Sequence, residues 1–411
     1  ILLRPDRINA LLGTEIPAED MIEILEALEF KIDKENMIVT VPSFRADVER
    51  EADIAEEIAR FYGYNNIEAT LLSGKAQTQG IKTYKQKIED IIYKTMLACG
   101  LSETYTFSFT GRKVFDKINL PSDSKLRDAV VISNPLGEDF KIMRTTTIPD
   151  MLDVISRNYN RRVEEARFFE LSYVYFHEKP DYSQDSSSIK SKAAASKNVP
   201  ENIYENEKLG KLPYQEQVLT IGMYGNTDYY ELKGIVEELM DSLGIKEYSF
   251  EPEKENPTYH PGRTAKVFVN GIEAGIIGEI HPDVSERFEA PERTYIGTIK
   301  VGILIENTSM LKQYKELPKF PAITRDIAML VPDEILVRQI ESVIKQRAGK
   351  NLESIKLFDV YKGSQVPEGK KSVAYSISFR AADRTLTDDE VNKYMAKILD
   401  GLKTLLGAEL R

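Results

Sequence analysis

The chain holds one cysteine, no tryptophan and three histidines in 411 residues. A single thiol, Cys99, excludes a disulfide framework and a cysteine-rich zinc site, and fits a reducing compartment. Its place at the end of an apolar helical pattern reads as a buried filler. His177, His260 and His281 show no metal-ligand spacing of the His-Glu-x-x-His kind. His260 and His281 each precede a proline in a strand-end turn, where structural hydrogen bonding is the default role. A Gly-x-Ser-x-Gly elbow and a Walker-type phosphate loop are both missing. Apolar runs fall far short of the roughly 20 residues a membrane span requires, and the start carries no signal-peptide pattern. Together these absences leave nucleophilic hydrolysis and zinc catalysis without residues, and imply a cytoplasmic protein with no membrane association.

What is present reads as an ordinary globular chain, 42% apolar and 29% charged, long enough for two or three domains. The net charge of −11 argues against a general polyanion binder, because nucleic-acid affinity rests on Lys and Arg neutralising phosphates. Its distribution is uneven. From Leu317 to Arg411 there are 16 Lys and Arg against 13 Asp and Glu, a local +3 that leaves −14 for the remainder. Only this last part is electrostatically suited to RNA. The first residue is Ile1, so the chain is expected to begin inside a longer gene product.

The fold expected is α+β and multidomain. Residues 1–72 read as a small helix and sheet domain, with helices over 18–28 and 51–62 and two short strands near 30–32 and 37–41. Residues 73–310 open with an amphipathic helix, Tyr84 to Ala98, closed by Gly100 and followed by an alternating strand, LSETYTFSF. The apolar stripe of that helix fits a core packed on its own sheet and a subunit interface equally. Residues 177–215, rich in Ser, Lys and Ala, read as a flexible insertion between strands. Asn270-Gly271 supplies a tight hairpin turn. Residues 317–411 give the order β-α-β-β-α-β of a ferredoxin-like module, its second helix capped by Thr387.

The densest local signal is VPSFRADVEREADIAEEIARFYGY, from Val41 to Tyr64. Helical spacing sets Asp53, Glu56 and Glu57 on one face, with Asp47 just upstream. Such crowding is unfavourable unless a cation offsets it. Arg60, four residues after Glu56, could do so by ordinary helix pairing. A hard divalent ion such as Mg²⁺, bound through oxygen, is the alternative.

This stretch closely resembles one in the beta subunit of bacterial phenylalanine–tRNA ligase. Val41, Pro42, Ser43, Arg45, Asp47, Asp53, Glu56, Glu57, Arg60, Tyr62, Gly63 and Tyr64 stand at the family positions; Ala46 departs where an aromatic is usual. The resemblance implies Mg²⁺ on Asp47, Asp53, Glu56 and Glu57. Ser133 to Phe176, with Asn134, Pro135, Arg144, Pro149, Asn158, Phe169 and Glu170, resembles the core of the same subunit. So do Leu232-Lys233-Gly234, His260-Pro261-Gly262-Arg263 and Gly278, His281, Pro282. The helix, Gly100 and strand are built like the first motif of class II aminoacyl-tRNA synthetases, which forms a dimer interface there. An active domain of that class clamps ATP phosphates with arginines of its second and third motifs. FFELSYVYF and GEIHPDV stand in those places here, so the resemblance implies an antiparallel synthetase-like domain without its own chemistry.

The last 95 residues resemble the ferredoxin-fold anticodon-binding module of the same family through Phe320-Pro321-Ala322, Arg325-Asp326, Phe358-Asp359-Val360-Tyr361, Gly369-Lys370-Lys371-Ser372, Phe379-Arg380, Arg384-Thr385-Leu386-Thr387 and Arg411. Candidate RNA contacts are Arg325, Tyr361, Lys362, Lys370, Lys371, Arg380 and Arg384, as one set on a sheet and its loops. The resemblance implies a non-catalytic carboxy-terminal portion of the beta subunit. Its partners would be the alpha subunit, in a heterotetramer of two alpha and two beta chains, and phenylalanine tRNA. ATP would be used on the alpha subunit. A stand-alone RNA-binding or scaffold protein built from the same modules is the rival reading.

Overall fold

The computed structural model describes all residues except 72–79, 180–211, 312–313, 315 and 364. The chain divides into two compact units, Ile1–Thr83 and Tyr84–Arg411. The expected boundary near residue 72 and most of the expected insertion lie outside the described residues. Among the described residues no helix is long and apolar enough to cross a membrane.

In the first unit helices α1 (Pro5–Leu12), α2 (Ala18–Ala27) and α3 (Glu51–Tyr62) pack around a two-stranded sheet of β1 (Lys31–Asp33) and β2 (Ile38–Thr40). Their inward faces supply Ile8, Met21, Leu25, Val39, Ile54 and Ile58, which form one buried cluster. The amino-terminal stretch, for which no helix was expected, is helical from Pro5. Proline at the first helical position costs no hydrogen bond and fixes φ for the turn that follows.

The second unit opens with α4 (Tyr84–Ala98), then the short strands β3 (Ser102–Glu103) and β4 (Phe109–Thr110), helix α5 (Lys113–Lys117) and strand β5 (Ile142–Met143). LSETYTFSF is therefore two short strands and not one. The carbonyl of Phe169 receives the N–H of Thr104, and Thr106 turns to a buried carboxylate, so the ladder stops. Next come α6 (Ile148–Asn160), β6 (Ala166–Phe176), β7 (Tyr214–Tyr224), α7 (Tyr229–Ser242), β8 (Tyr248–Pro252), β9 (Tyr259–Val269), β10 (Ile272–Ile280), α8 (Pro282–Arg287), β11 (Thr294–Lys300) and α9 (Val301–Asn307). Strand β7 starts at Tyr214, a residue inside the expected insertion.

Seven strands form one sheet in the order β3-β6-β7-β11-β10-β9-β8, antiparallel except where β3 meets β6. Alternation gives the sheet two apolar faces. Leu219, Ile221 and Met223 of β7 point to α4, α7 and α9 and share a core with Ile88, Ile92, Leu232, Leu239 and Leu304. On the other side α6 lays Met151 and Ile155 against Ile296 and Ile280. Gly222 makes that approach possible, since a Cβ there would lie 2.5 Å from Met151. Asn270 and Gly271 both take positive φ, 48° and 78°, at the hairpin between β9 and β10.

The remaining elements are β12 (Ile323–Pro332), α10 (Val337–Ala348), β13 (Leu352–Tyr361), β14 (Lys370–Phe379), α11 (Asp388–Leu406) and β15 (Glu409–Leu410). The sheet order β13-β14-β12-β15 is that of a ferredoxin-like fold. Both helices cover one face, burying Ile340, Ile344, Val391 and Ile398 against Met329, Tyr375 and Ile377. Thr387 and Glu390 form a reciprocal capping box at the start of α11.

Candidate partner and RNA surfaces

The acidic turn is already neutralised by side chains of its own unit. Arg45 donates to Asp47 at 2.6 Å and to Glu57 at 2.7 Å, and Arg60 closes on the second oxygen of Glu57. Glu57 is buried, and the Arg45 hydrogen bond holds its carboxyl below the usual range against the opposing effect of burial, with Arg60 adding to it. Asp47 is held low by Arg45 as well. Asp53 turns back to accept the N–H groups of Glu49 and Arg50 at 2.8 and 2.7 Å, serving the helix start. Glu56 is exposed. Of the four acids expected to gather on one ion, Asp47 and Glu57 share Arg45, Asp53 serves the helix start and Glu56 is exposed. Among the described residues no three acidic, histidine or cysteine side chains are grouped as a metal site. As they stand they do not fit a hexacoordinate Mg²⁺, because Arg45 occupies the space between Asp47 and Glu57.

Arg144 is the largest fully buried side chain among the described residues, 1% exposed. Its Nε donates to the Tyr173 carbonyl at 2.9 Å; Nη1 donates to Thr106 Oγ1 at 2.7 Å and Asp150 at 3.0 Å, and Nη2 to Glu170 at 3.2 Å. Buried and engaged through all three of its nitrogens, this guanidinium is not free to clamp a phosphate. Burial pushes the Asp150 carboxyl up to about 7, against the pull of Arg144. His260 and His281 serve turns: each Nδ1 accepts a backbone N–H, from Gly262 at 3.0 Å and Asp283 at 3.2 Å.

The apolar stripe of α4 packs into the core of its own sheet, which answers one of the two readings of that helix. The uncovered apolar surface lies just after it. Tyr105 is 93% exposed, Phe107 72% and Leu136 89%, with Phe107 edge-on to Phe140 at 6.1 Å between ring centres. Sequence reasoning took Tyr105 and Phe107 as part of a strand. Their alternation with Thr104, Thr106 and Ser108, all small and polar, was the available sign of an outward row.

The RNA candidates are not one face. Successive residues of a strand point to opposite sides, and the register sets Arg325 and Lys371 on the helix side but Lys370 and Tyr361 on the open side. Arg325 pairs with Asp388, Lys370 with Glu409 at 2.8 Å, Arg380 with Glu353 at 2.8 Å, Arg384 with Glu390 at 2.7 Å, and Lys362 with Asp333 at 2.5 Å. Lys371 donates to the Asp333 carbonyl. The expected cationic set is therefore partnered within the module. What sequence reasoning missed is the open face, where Thr324, Ala328, Ser376 and Ser378 set small side chains around Asp326, with Lys356 and Tyr361 on the neighbouring strand. The alternating serines of KKSVAYSISF were its signal.

Comparison with known proteins matches this architecture part by part. The model of the phenylalanyl tRNA synthetase beta chain CLM domain matches residues 67–301, more than half of the chain. The chain belongs to the phenylalanine–tRNA ligase beta-subunit family. Models of the tRNA synthetase B5 domain and of the ferredoxin-fold anticodon-binding domain match residues 1–64 and 318–411. The beta subunit of Clostridium tetani is 48% identical over 98% of the chain, and that of Clostridium acetobutylicum 44% identical over 98%. The beta subunit of Moorella thermoacetica is 36% identical over the whole chain. The chain spans about half the length of these curated relatives. Against this beta-subunit family, Arg144 and Glu170 are landmarks whose role in the fold is now explicit: a buried pair that fixes α6 to β6.

Asp150 binds its proton more tightly in the folded chain than in the unfolded one, so its contribution to stability declines as pH rises from the ordinary aspartate range of about 4 to about 7. Asp150→Asn keeps a partner for Arg144 and removes the titration. The loss of melting temperature between pH 5 and pH 8 is expected to be smaller in the variant than in the parent; equal losses would show that Asp150 does not titrate there.

Proposed function

We propose that the chain serves as a non-catalytic beta chain of phenylalanine–tRNA ligase in the cytoplasm, supporting the ATP-dependent attachment of phenylalanine to its tRNA on an alpha subunit. The observation that carries this reading is the pair of uncovered aromatic side chains, Tyr105 and Phe107, in the loop between β3 and β4, held beside a buried arginine that is committed to structure. Large aromatic side chains held in water beside a rigid sheet are the usual anchors of a protein interface. An alpha subunit on this row, doubled into two alpha and two beta chains, gives the row its cover. The ferredoxin-like module would then meet the anticodon with its flat serine-lined face, where bases can lie against Tyr361 and backbone phosphates against Lys356. Mg²⁺ joins this reading only with Arg45 displaced from Asp47 and Glu57.

Replacing Tyr105, Phe107 and Leu136 together by Ser should reduce co-purification of the alpha subunit by at least about tenfold while leaving the melting temperature within a few degrees. Undiminished capture would sink the docking assignment. For the module, Lys356→Ala should weaken tRNA binding and lower the salt slope by about one, whereas Arg384→Ala should act through the α11 cap and leave the slope unchanged. The opposite ranking would return the RNA site to the expected cations. For the metal, millimolar Mg²⁺ should raise the melting temperature of Arg45→Gln and not that of the parent. No rise in either removes Mg²⁺ from the reading.

A further inference from the structure

Strand β13 is the outer strand of the ferredoxin-like sheet, bonded to β14 on one side. Among the described residues no backbone hydrogen bond is made from Glu353 to Tyr361 along its other side. A bare edge of this kind is a row of unpaired N–H and C=O groups, open to another extended chain. Two features set it apart from an edge meant only for water. Phe358 and Val360 are 54% and 51% exposed on it, although Val360 lies opposite Val373, on the side that the helices cover elsewhere. Lys356 and Asp359, opposite Ser376 and Ala374 on the open side, make no ion pair or hydrogen bond among the described residues. Nearby Lys362, Lys370, Arg380 and Arg384 are all paired.

Charges on an edge normally oppose pairing with a foreign strand. Here their order selects a partner. Phe358 is an extra residue, left unpaired between Leu357, opposite Tyr375, and Asp359, opposite Ala374. It shifts the alternation, so that Lys356 and Asp359 share one side of the sheet and Ile355 and Val360 the other. An antiparallel copy of the same strand then lies alongside with like sides together when a two-fold axis passes between Leu357 and Phe358. In that register Lys356 of each copy stands opposite Asp359 of the other, and Ile355 opposite Val360. A slip of one residue turns the helix side of one copy against the open side of the other. A slip of two keeps the sides but sets Asp359 opposite Phe358 or Ser354, which separates the charges.

We propose that β13 pairs edge to edge with β13 of a second copy of this chain, joining two four-stranded sheets into one continuous sheet around a two-fold axis. The symmetry forms both Lys356–Asp359 pairs and both Ile355–Val360 pairs at once, and it covers the exposed Phe358 and Val360. One strand pair is small against a standard interface, so the dimer is weak, with a dissociation constant on the order of 0.1 mM. The edge is separate from the aromatic row of Tyr105 and Phe107, and the association requires neither an alpha subunit nor RNA.

Sedimentation equilibrium of the whole chain, without tRNA or alpha subunit and at concentrations spanning that constant, reads the association. The parent is expected to pass from monomer to dimer. Lys356→Asp and Asp359→Lys each set like charges across the axis, and each should weaken the dimer by at least about tenfold. Mixed in equal amounts, the two variants face each other with opposite charges at both pairs, and should associate about as tightly as the parent does with itself. Rescue by mixing separates a contact across the axis from damage to the module, because neither variant is repaired by folding beside the other. A parent that stays monomeric overturns the proposal. So do single variants that dimerise as the parent does, which would place the contact on another surface, and a mixture that stays monomeric.

Discussion

The buried guanidinium of Arg144 is the constraint on which the synthetase-like part of the chain depends. A charge removed from water is tolerated only where carboxylates and carbonyls surround it, and removing one partner leaves the rest uncompensated. Here the partners come from three places: Thr106 ahead of β4, Asp150 in the first turn of α6, and Glu170 and Tyr173 on β6. One side chain thereby fixes a loop, a helix start and a strand relative to one another. The loop it fixes carries Tyr105 and Phe107, so the aromatic row is displayed from a rigid base. The helix start it fixes sets Thr147 over Thr220 of β7.

Committed to these partners, Arg144 supplies no phosphate clamp. An arginine surrounded by its own protein cannot also wrap a nucleotide, and its burial excludes a ligand from reaching it. The ferredoxin-like module shows a milder version of that trade. Its cations are set in ion pairs that fix strand ends and the α11 cap, and the surface left for a partner is flat and hydroxyl-rich in place of basic.

Much of the fold was legible because it is written locally. The stripe of α4, the Thr387 cap, the Asn270-Gly271 turn and the β-α-β-β-α-β order all follow from neighbours within a few residues, and the structure has them. The sites were less legible because they depend on partners distant in sequence. Arg45 lies two residues from Asp47 but twelve from Glu57, and helical spacing alone brought only Arg60 into consideration. Likewise the RNA candidates were chosen as residue types, while the side each occupies is set by strand register, where one residue decides the face. LSETYTFSF reads as one strand by alternation, and becomes two because Thr106 is taken by a buried acid forty residues and more away in sequence.

The aromatic row also bears on the colloidal behaviour of the molecule. Exposed rings of this size favour self-association, and a net charge of −11 opposes it by mutual repulsion between copies. The two forces differ in range and in their response to salt. At an ionic strength of about 0.15 M the repulsion fades beyond roughly 8 Å, whereas ring-to-ring contact is unaffected. The acidic excess outside the ferredoxin-like module thus acts as a solubilising counterweight to the exposed rings.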